Sequence, residues 1–401
     1  MSNNLINLSN QAKKCQCGNP HYELNIDRID IKKGALEDAV SYVGSKQFQN
    51  VVIVADEMTY KVAGEKIYYL LNTSTIHTTV SIVRPDQQND VVADETALGQ
   101  VLLDVPKQAD VMIAVGAGTI HDITRMVSYK LDKPFISIPT APSVDGFNSM
   151  GAPIVINGVK TTFQTQAPIA VFADMDVIKQ SPKEMIAAGF GDVLGKITSL
   201  VDWRFGQIMG DEPFCPLVYK ITEEALQSCI DHIDSIASTT EEGIKLLMES
   251  LINSGLAMLL FGRSHPASGA EHHLSHYWEM EFLRTNRKQI LHGAKVGVST
   301  QIIADFYKNK IVEVMSYAKK NQEPSKRTLL NKLIEHEEQV THLIEQIIDP
   351  KQMKVMIGQV GGKTSYEELG INHNLLEESL QEAHNLRERF TLLYFYNKYV
   401  S

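Results

Sequence analysis

Cysteine is scarce: four in 401 residues, too few for a disulfide framework. Basic residues are not in excess, since Lys and Arg total 38 against 48 Asp and Glu, giving a formal net charge of −10. That balance excludes a broad nucleic-acid or anionic-membrane surface, yet leaves room for a small basic pocket holding an anionic metabolite. No apolar run approaches the ~18 residues of a spanning segment, so no membrane partner is expected. The opening MSNNLINLSNQAKK lacks the apolar stretch of a signal peptide. A cytoplasmic protein is expected. Internal repeats and low-complexity tracts are missing as well. What is there is globular in character, with 43% hydrophobic and 21% charged residues. The length favours two domains.

The first part of the chain alternates in texture. Residues 50–55 (NVVIVA), 78–83 (TTVSIV), 110–115 (DVMIAV) and 135–139 (FISIP) are apolar, β-branched runs, and 61–72, 94–105 and 119–130 carry helical periodicity between them. Fully apolar strands alternating with helices indicate a parallel sheet covered on both faces. Residues 152–157 and 169–173 are strand-like, with polar VKTTFQ between them. After SPKEM, a helix-start signal, the pattern is helical at 213–237, 241–261, 270–284, 289–320, 326–348 and 373–398. The expected fold class is an α/β Rossmann-like N-terminal domain, residues 1–180, and an all-α C-terminal domain, residues 181–401. GQVGGKT at 358–364 fails the phosphate-loop spacing because position 357 is Ile. It reads as a loop before a short helix at 366–370.

GAGTIHD, residues 116–122, sits between a strand and a helix. Glycines allow a sharp turn, and a helix start offers free N–H groups, which suits a pyrophosphate. Taken alone, the stretch fits a ligand-free tight turn equally well. The next strand also ends in a ligand-capable loop, PTAPSVDGFNS, with hydroxyls at Thr140, Ser143 and Ser149. Asp56 ends a third strand. A carboxylate there can accept from ribose hydroxyls, and its charge opposes a 2′-phosphate.

Three of thirteen histidines cluster in GAEHHLSHYWE. His272 and His276 are four apart and share one helix face, whereas His273 turns about 100° away, toward solvent or a helix partner. Asp192 lies in the apolar stretch GFGDVLGK, and His292 lies beside glycines in LHGAKVG. Each one singly reads as a cap, an ion-pair partner or a satisfied core residue. Cys15, Cys17 and His21 share the arm motif CQCGNPH. Their spacing matches no standard zinc module and a fourth ligand is missing, so the arm reads as solvent-exposed with two free thiols. Cys215 and Cys229 read as buried apolar fillers.

AGFGDVLGK…DW, SGAEHHLSH and LHGAKVG, with VGAGTIHD and PTAPSVDGFNS upstream, resemble the glycerol-1-phosphate dehydrogenases. These are a family within the metal-dependent polyol dehydrogenase and dehydroquinate synthase superfamily. The resemblance runs from Asp56 through the last helix, and the Cys-rich arm is similar to the bacterial branch. GRSHPAS at 262–268 departs from the more compact SRPAS of archaeal relatives. The resemblance implies metal ligands Asp192, His272 and His292, with Asp192 also meeting substrate, and substrate contacts at Asp145 and His276. It implies NAD(H) or NADP(H) contacts at Asp56, Gly116, Ala117, Gly118, Thr119, Ile120, His121, Asp122, Thr140, Ala141, Pro142, Ser143 and Ser149. The implied reaction is reversible, metal-assisted hydride transfer between dihydroxyacetone phosphate and sn-glycerol 1-phosphate. Its product points to phospholipid or ether-lipid precursor synthesis, with a catabolic setting as the alternative, and the resemblance implies a homodimer holding one divalent metal per subunit, nickel ahead of zinc or iron. Lys196, Arg204, Arg263 and Lys295 are the phosphate candidates by proximity in sequence. The rival readings are a glycerol dehydrogenase on unphosphorylated polyols, a dehydroquinate synthase-like lyase, and a binding protein without catalysis.

Overall fold

The computed structural model describes residues 2–321 and 323–401. Six parallel strands form one sheet: β1 (Arg28–Lys32), β2 (Asn50–Ala55), β3 (His77–Ile82), β4 (Val111–Gly116), β5 (Phe135–Pro139) and β8 (Ala170–Asp174), in spatial order β1-β8-β5-β4-β2-β3. Period-two alternation explains the continuous apolar runs. Val51, Ile53 and Ala55 of β2 feed one core, while Val52 and Val54 feed the core on the opposite face. Both faces are dry, so neither can be polar. The chain leaves β2 for β3 on one side and returns to β4 on the other. The switch point of the sheet therefore lies at the carboxyl ends of β2 and β4, where open α/β sheets place ligands.

Helices make up the chain from Lys183 onward. The fold is that of an α/β N-terminal part and a helical C-terminal part. Helix Glu241–Phe261 is long and apolar enough to cross a membrane, with mean hydropathy 1.5 in an 18-residue window, an exception to the absence of spanning runs. It is 72% buried inside the fold and contributes Leu247, Leu251 and Leu256 to the main core.

Several elements differ from the sequence pattern. VKTTFQ is not a link but strand β7 (Val159–Gln164), antiparallel to β6 (Gly151–Ile156). Asn157 and Gly158 turn between them with φ of 51° and 76°, the Asn-Gly hairpin chemistry. Strand β1 and helix Ala35–Ser45 precede the first run recognised in the sequence. No helix forms at 366–370, where turns follow helix Pro350–Gln359. The N-terminal arm is not a free polar segment. Its helix Ser2–Lys14 docks Leu5, Leu8 and Ala12 into the same core as the helical half. Cys215 and Cys229 are buried in the main core as expected, and Cys215 also meets that arm, its Sγ lying 3.7 Å from Cys15 Sγ.

Candidate active site between sheet and helices

Three helices bring the acid and the two imidazoles together. Asp192 stands near the end of helix Lys183–Leu194, His272 in the first turn of Ala270–Arg284, and His292 at the start of His292–Lys320. The first and third helices cross at glycines. A Cβ on Gly191 would lie 2.3 Å from Gly293 O, and one on Gly293 would lie 1.8 Å from Ala188 O. Only hydrogen fits there, so backbones approach closely and Asp192 reaches His292. One ligand atom from each of Asp192, His272 and His292 lies within 4.8 Å of the others. His292 Nδ1, though buried, has no hydrogen-bond partner. A carboxylate oxygen and two imidazole nitrogens are a donor set for a borderline divalent cation with positions left open, so the residues fit the expected metal.

A buried polar shell fixes these donors. His272 Nδ1 is 2.7 Å from Glu271 Oε1. Glu271 also accepts from Gly269 N at 2.6 Å and Thr198 Oγ1 at 2.6 Å. Burial raises its pKa, but these partners, His272 foremost, outweigh that and keep it ionised. His272 must therefore carry its proton on Nδ1, leaving the Nε2 lone pair, which lies 3.7 Å from Asp192 Oδ1. Asp192 is completely buried, which favours the neutral acid. Lys196 and His272 reverse this and hold it well below the usual carboxylate range.

Lys196 Nζ contacts Asp145 Oδ2 at 2.8 Å, Asp192 Oδ1 at 3.3 Å and Ala267 O at 3.2 Å. All three ammonium donors are thus engaged, which removes Lys196 from the phosphate candidates. Arg204 drops out too, since it binds Gln207 and covers the Phe214 ring away from the cavity. Asp145 N donates to Asp192 Oδ2 at 2.9 Å, and Ser254 Oγ donates to Asp145 Oδ2 at 2.8 Å. The PTAPSVDG loop is therefore docked directly onto Asp192.

His276 lies beside this trio, its ring centroid 5.8 Å from that of His292. Its Nδ1 is 3.2 Å from Arg387 Nη2. A guanidinium only donates, so Nδ1 accepts and the proton sits on Nε2. Burial, then Arg387, depress its pKa well below 6.5, so the ring is neutral. His273 does not face solvent: it is fully buried. Its helix packs on both sides, against His292–Lys320 and against the 383–386 turn.

Around His276 the structure collects cations, Lys295 and Arg263 among the sequence candidates and Arg387 and Lys160 not. Arg387 Nη2 also reaches Thr162 Oγ1 at 3.0 Å, and Lys160 and Lys295 bind Glu279 at 2.7 and 2.8 Å. Lys160, Lys295, Arg263 and Arg387 all line one cavity of about 370 Å3, together with His272, His276 and His292. Lys160 and Arg387 lie in no motif, and Glu271 and Glu279, though within GAEHHLSHYWE, have no role assigned by the sequence.

The opposite wall comes from the sheet. Gly116 and Pro139 pair at the carboxyl ends of β4 and β5. Ala117, Gly118, Thr119 and Asp122 line the cavity at the start of helix Gly118–Lys130, whose N-cap Ala117 has no capping side chain. Ser143 and Ser149 line it as well, and Ser143 Oγ is a buried hydroxyl without a partner. Asp122 pairs with Arg125 at 2.7 Å, while burial moves its carboxyl up to about 7. Ile120 and His121 point inward. His121 Nδ1 is 2.9 Å from Ala117 O and Nε2 2.8 Å from Ser137 Oγ, so this ring ties the helix to β5. Thr140, Ala141 and Pro142 are buried in the loop. Asp56 lies after β2, outside the cavity lining, and its Oδ1 accepts from Thr59 N at 2.8 Å as a helix cap.

Residues 30–182 match the family profile of the iron-containing alcohol dehydrogenases. The fold resembles a probable glycerol dehydrogenase from Sinorhizobium meliloti 1021, at TM-score 0.64 and 14% identity, covering 92% of this chain and 91% of that one. It likewise resembles sulfoacetaldehyde reductase from Bifidobacterium kashiwanohense in complex with NAD+, at TM-score 0.63 and 15% identity, covering 95% and 98%. In sequence the chain is 50% identical over 401 residues to glycerol-1-phosphate dehydrogenase [NAD(P)+] of Geobacillus stearothermophilus, covering 100% of this chain and 99% of the relative. With these motifs, this fold and that full-length identity, the chain belongs to the glycerol-1-phosphate dehydrogenase [NAD(P)+] family.

Proposed function

We propose that the chain reduces dihydroxyacetone phosphate to sn-glycerol 1-phosphate, reversibly, with NAD(H) or NADP(H) and one divalent metal. One observation carries this reading: the two imidazoles of a metal-type donor trio, a cationic cluster and an uncapped helix start line one cavity. Asp192, His272 and His292 would hold the cation. The start of helix Gly118–Lys130, with Ser143 and Ser149, would hold the dinucleotide. When bound, the cation supplies Lewis acidity at the reacting oxygen and the dinucleotide supplies or accepts the hydride.

The chain's own groups do the rest. Glu271 fixes the tautomer and aim of His272. Lys196 keeps Asp192 ionised in a buried place. Neutral His276 offers Nε2–H to a substrate oxygen and relays the proton, and Asp145, with Oδ1 free of the Lys196 and Ser254 contacts, orients a hydroxyl. Arg387 takes the phosphate, helped by Lys160, Arg263 and Lys295, whose net charge exceeds that of Glu279. We take nickel as the resident ion ahead of zinc or iron, as the resemblance to the bacterial branch implies, and the O,N,N donor set suits all three. A homodimer in the cytoplasm, making a lipid precursor, completes the reading.

The test compares NADH oxidation on dihydroxyacetone phosphate and on dihydroxyacetone, in the parent and in Arg387→Ala. Removing a charge-assisted phosphate contact of about 1.5–3 kcal/mol should cut kcat/KM on the phosphate ester by roughly 10–150-fold beyond the loss on dihydroxyacetone, which reads the released His276 ring alone. Equal losses on both substrates, or a parent that prefers glycerol, would reject the phosphate reading in favour of a polyol dehydrogenase.

A further inference from the structure

The N-terminal arm carries a second convergence of metal-ligand side chains, distinct from Asp192, His272 and His292. Cys15, Cys17 and His21 follow helix Ser2–Lys14, and Cys215 is the N-cap of helix Pro216–Asp231. Three sulfurs and one imidazole nitrogen from these residues all lie within 4.8 Å of one another. Cys15 Sγ is 3.7 Å from Cys215 Sγ. His21 Nε2 is 3.2 Å from Cys215 Sγ and 3.8 Å from Cys17 Sγ. A tetrahedral zinc shell with Zn–S of about 2.3 Å and Zn–N of about 2.0 Å puts its sulfurs about 3.7 Å apart and sulfur to nitrogen about 3.5 Å apart. The Cys15–Cys215, His21–Cys215 and His21–Cys17 distances already stand near the spacing of that shell. A disulfide requires sulfurs about 2.05 Å apart and makes no use of the imidazole.

The surroundings support a closed site. Gly18, at φ 78°, reverses the backbone so that Cys17 and His21 face the same point. Asn19 Nδ2 lies 3.6 Å from Cys17 Sγ and donates to Phe214 O at 2.8 Å. It thus offers an N–H to a ligand sulfur while tying the turn to the loop that carries Cys215. Beyond His21, Tyr22 N donates to Leu260 O at 2.9 Å.

We propose that Cys15, Cys17, His21 and Cys215 bind one zinc ion as a closed structural site clamping the N-terminal arm to the helical half. Three thiolates and one imidazole leave no position for substrate, which separates this site from a catalytic one. The clamp joins residues 200 apart in sequence, adding to the packing of Leu5, Leu8 and Ala12 and to the hydrogen bonds of Asn19 and Tyr22. Its effect reaches the cleft. Tyr22 packs so closely on Gly262 that a Cβ there would lie 2.0 Å from the ring, and Gly262 and Arg263 line the active-site cavity.

Full-length protein purified with reductant and without chelator is analysed for metal, then titrated with a mercurial while released zinc is followed colorimetrically. One thiolate-held zinc per chain is expected to appear. Cobalt-exchanged protein should show the thiolate-to-cobalt charge-transfer band. His292→Ala should keep that band, and Cys17→Ser and His21→Ala should lose the zinc equivalent and arm protection against protease. Cys215→Ser alters a buried side chain and can unfold the chain by itself, so the partly exposed Cys17 and His21 carry the variant test. No zinc released from the parent, a charge-transfer band that survives Cys17→Ser, or a Cys15–Cys215 disulfide in the folded protein would overturn the proposal.

Discussion

A side chain's role here depends on which atom its neighbour leaves free. Glu271 fixes the proton of His272 on Nδ1 and frees Nε2 for a cation, whereas Arg387 fixes the proton of His276 on Nε2 and removes that nitrogen as a ligand. Two histidines on one helix face thus have different chemistry. Asp192, His272, His276 and His292 were legible in the sequence because the motifs that carry the family resemblance contain them, though taken singly each reads as a cap, an ion-pair partner or a core residue. Arg387 was not, because it meets His276 across 111 residues, and no local pattern encodes such a meeting. Glu271→Gln retains a side chain of the same size but loses the ionised acceptor. Orienting partners of this kind are worth about 10–100-fold in metal affinity, so the variant should bind metal that much more weakly, read by competition with a chelating dye. Unchanged affinity would mean that Glu271 serves only packing.

Among the elements, the crossing of Lys183–Leu194 with His292–Lys320 sets the site. The glycines of AGFGDVLGK and LHGAKVG were visible in the sequence, but which of them touch was not, since that depends on how the helices cross. Gly293→Ala would press a methyl into Ala188 O. Overpacking of this kind costs about 1–3 kcal/mol. The expected outcome is a lower Tm together with weakened metal binding, because the helices separate where Asp192 meets His292. A stable variant with parental metal affinity would show that the approach is not needed. Strand β7 escaped the sequence pattern for a different reason. Its burial is only partial and four of its six residues are polar, so apolar periodicity gave no signal, although Asn157-Gly158 did.

At the scale of the whole molecule, the change from alternating strands to helices was readable because buried parallel strands need continuous apolar runs. The docking of the arm was not, since its ligand partner Cys215 lies far along the chain. Acid sensitivity is also a property of the whole. Burial lowers His121 from 6.5 to about 3, despite its bond to Ala117 O, and lowers His265 to about 2. Between those values and 6.5 the unfolded chain binds protons that the folded chain refuses, so stability is lost as pH falls through this window. Tm should decline steadily below pH 6.5, and His121→Gln should show a shallower decline than the parent. A parallel decline in the two proteins would remove His121 from the account. The central claim concerns the cation in the cleft. Its most direct measurement is nickel titration of chelator-treated protein, with NADH oxidation on dihydroxyacetone phosphate followed in the same samples. The account predicts that Asp192→Asn, His272→Ala and His292→Ala each lose the cleft ion and the activity, while His276→Ala keeps the ion and loses turnover. Full activity in any of the three ligand variants, or loss of the ion from His276→Ala, would contradict it.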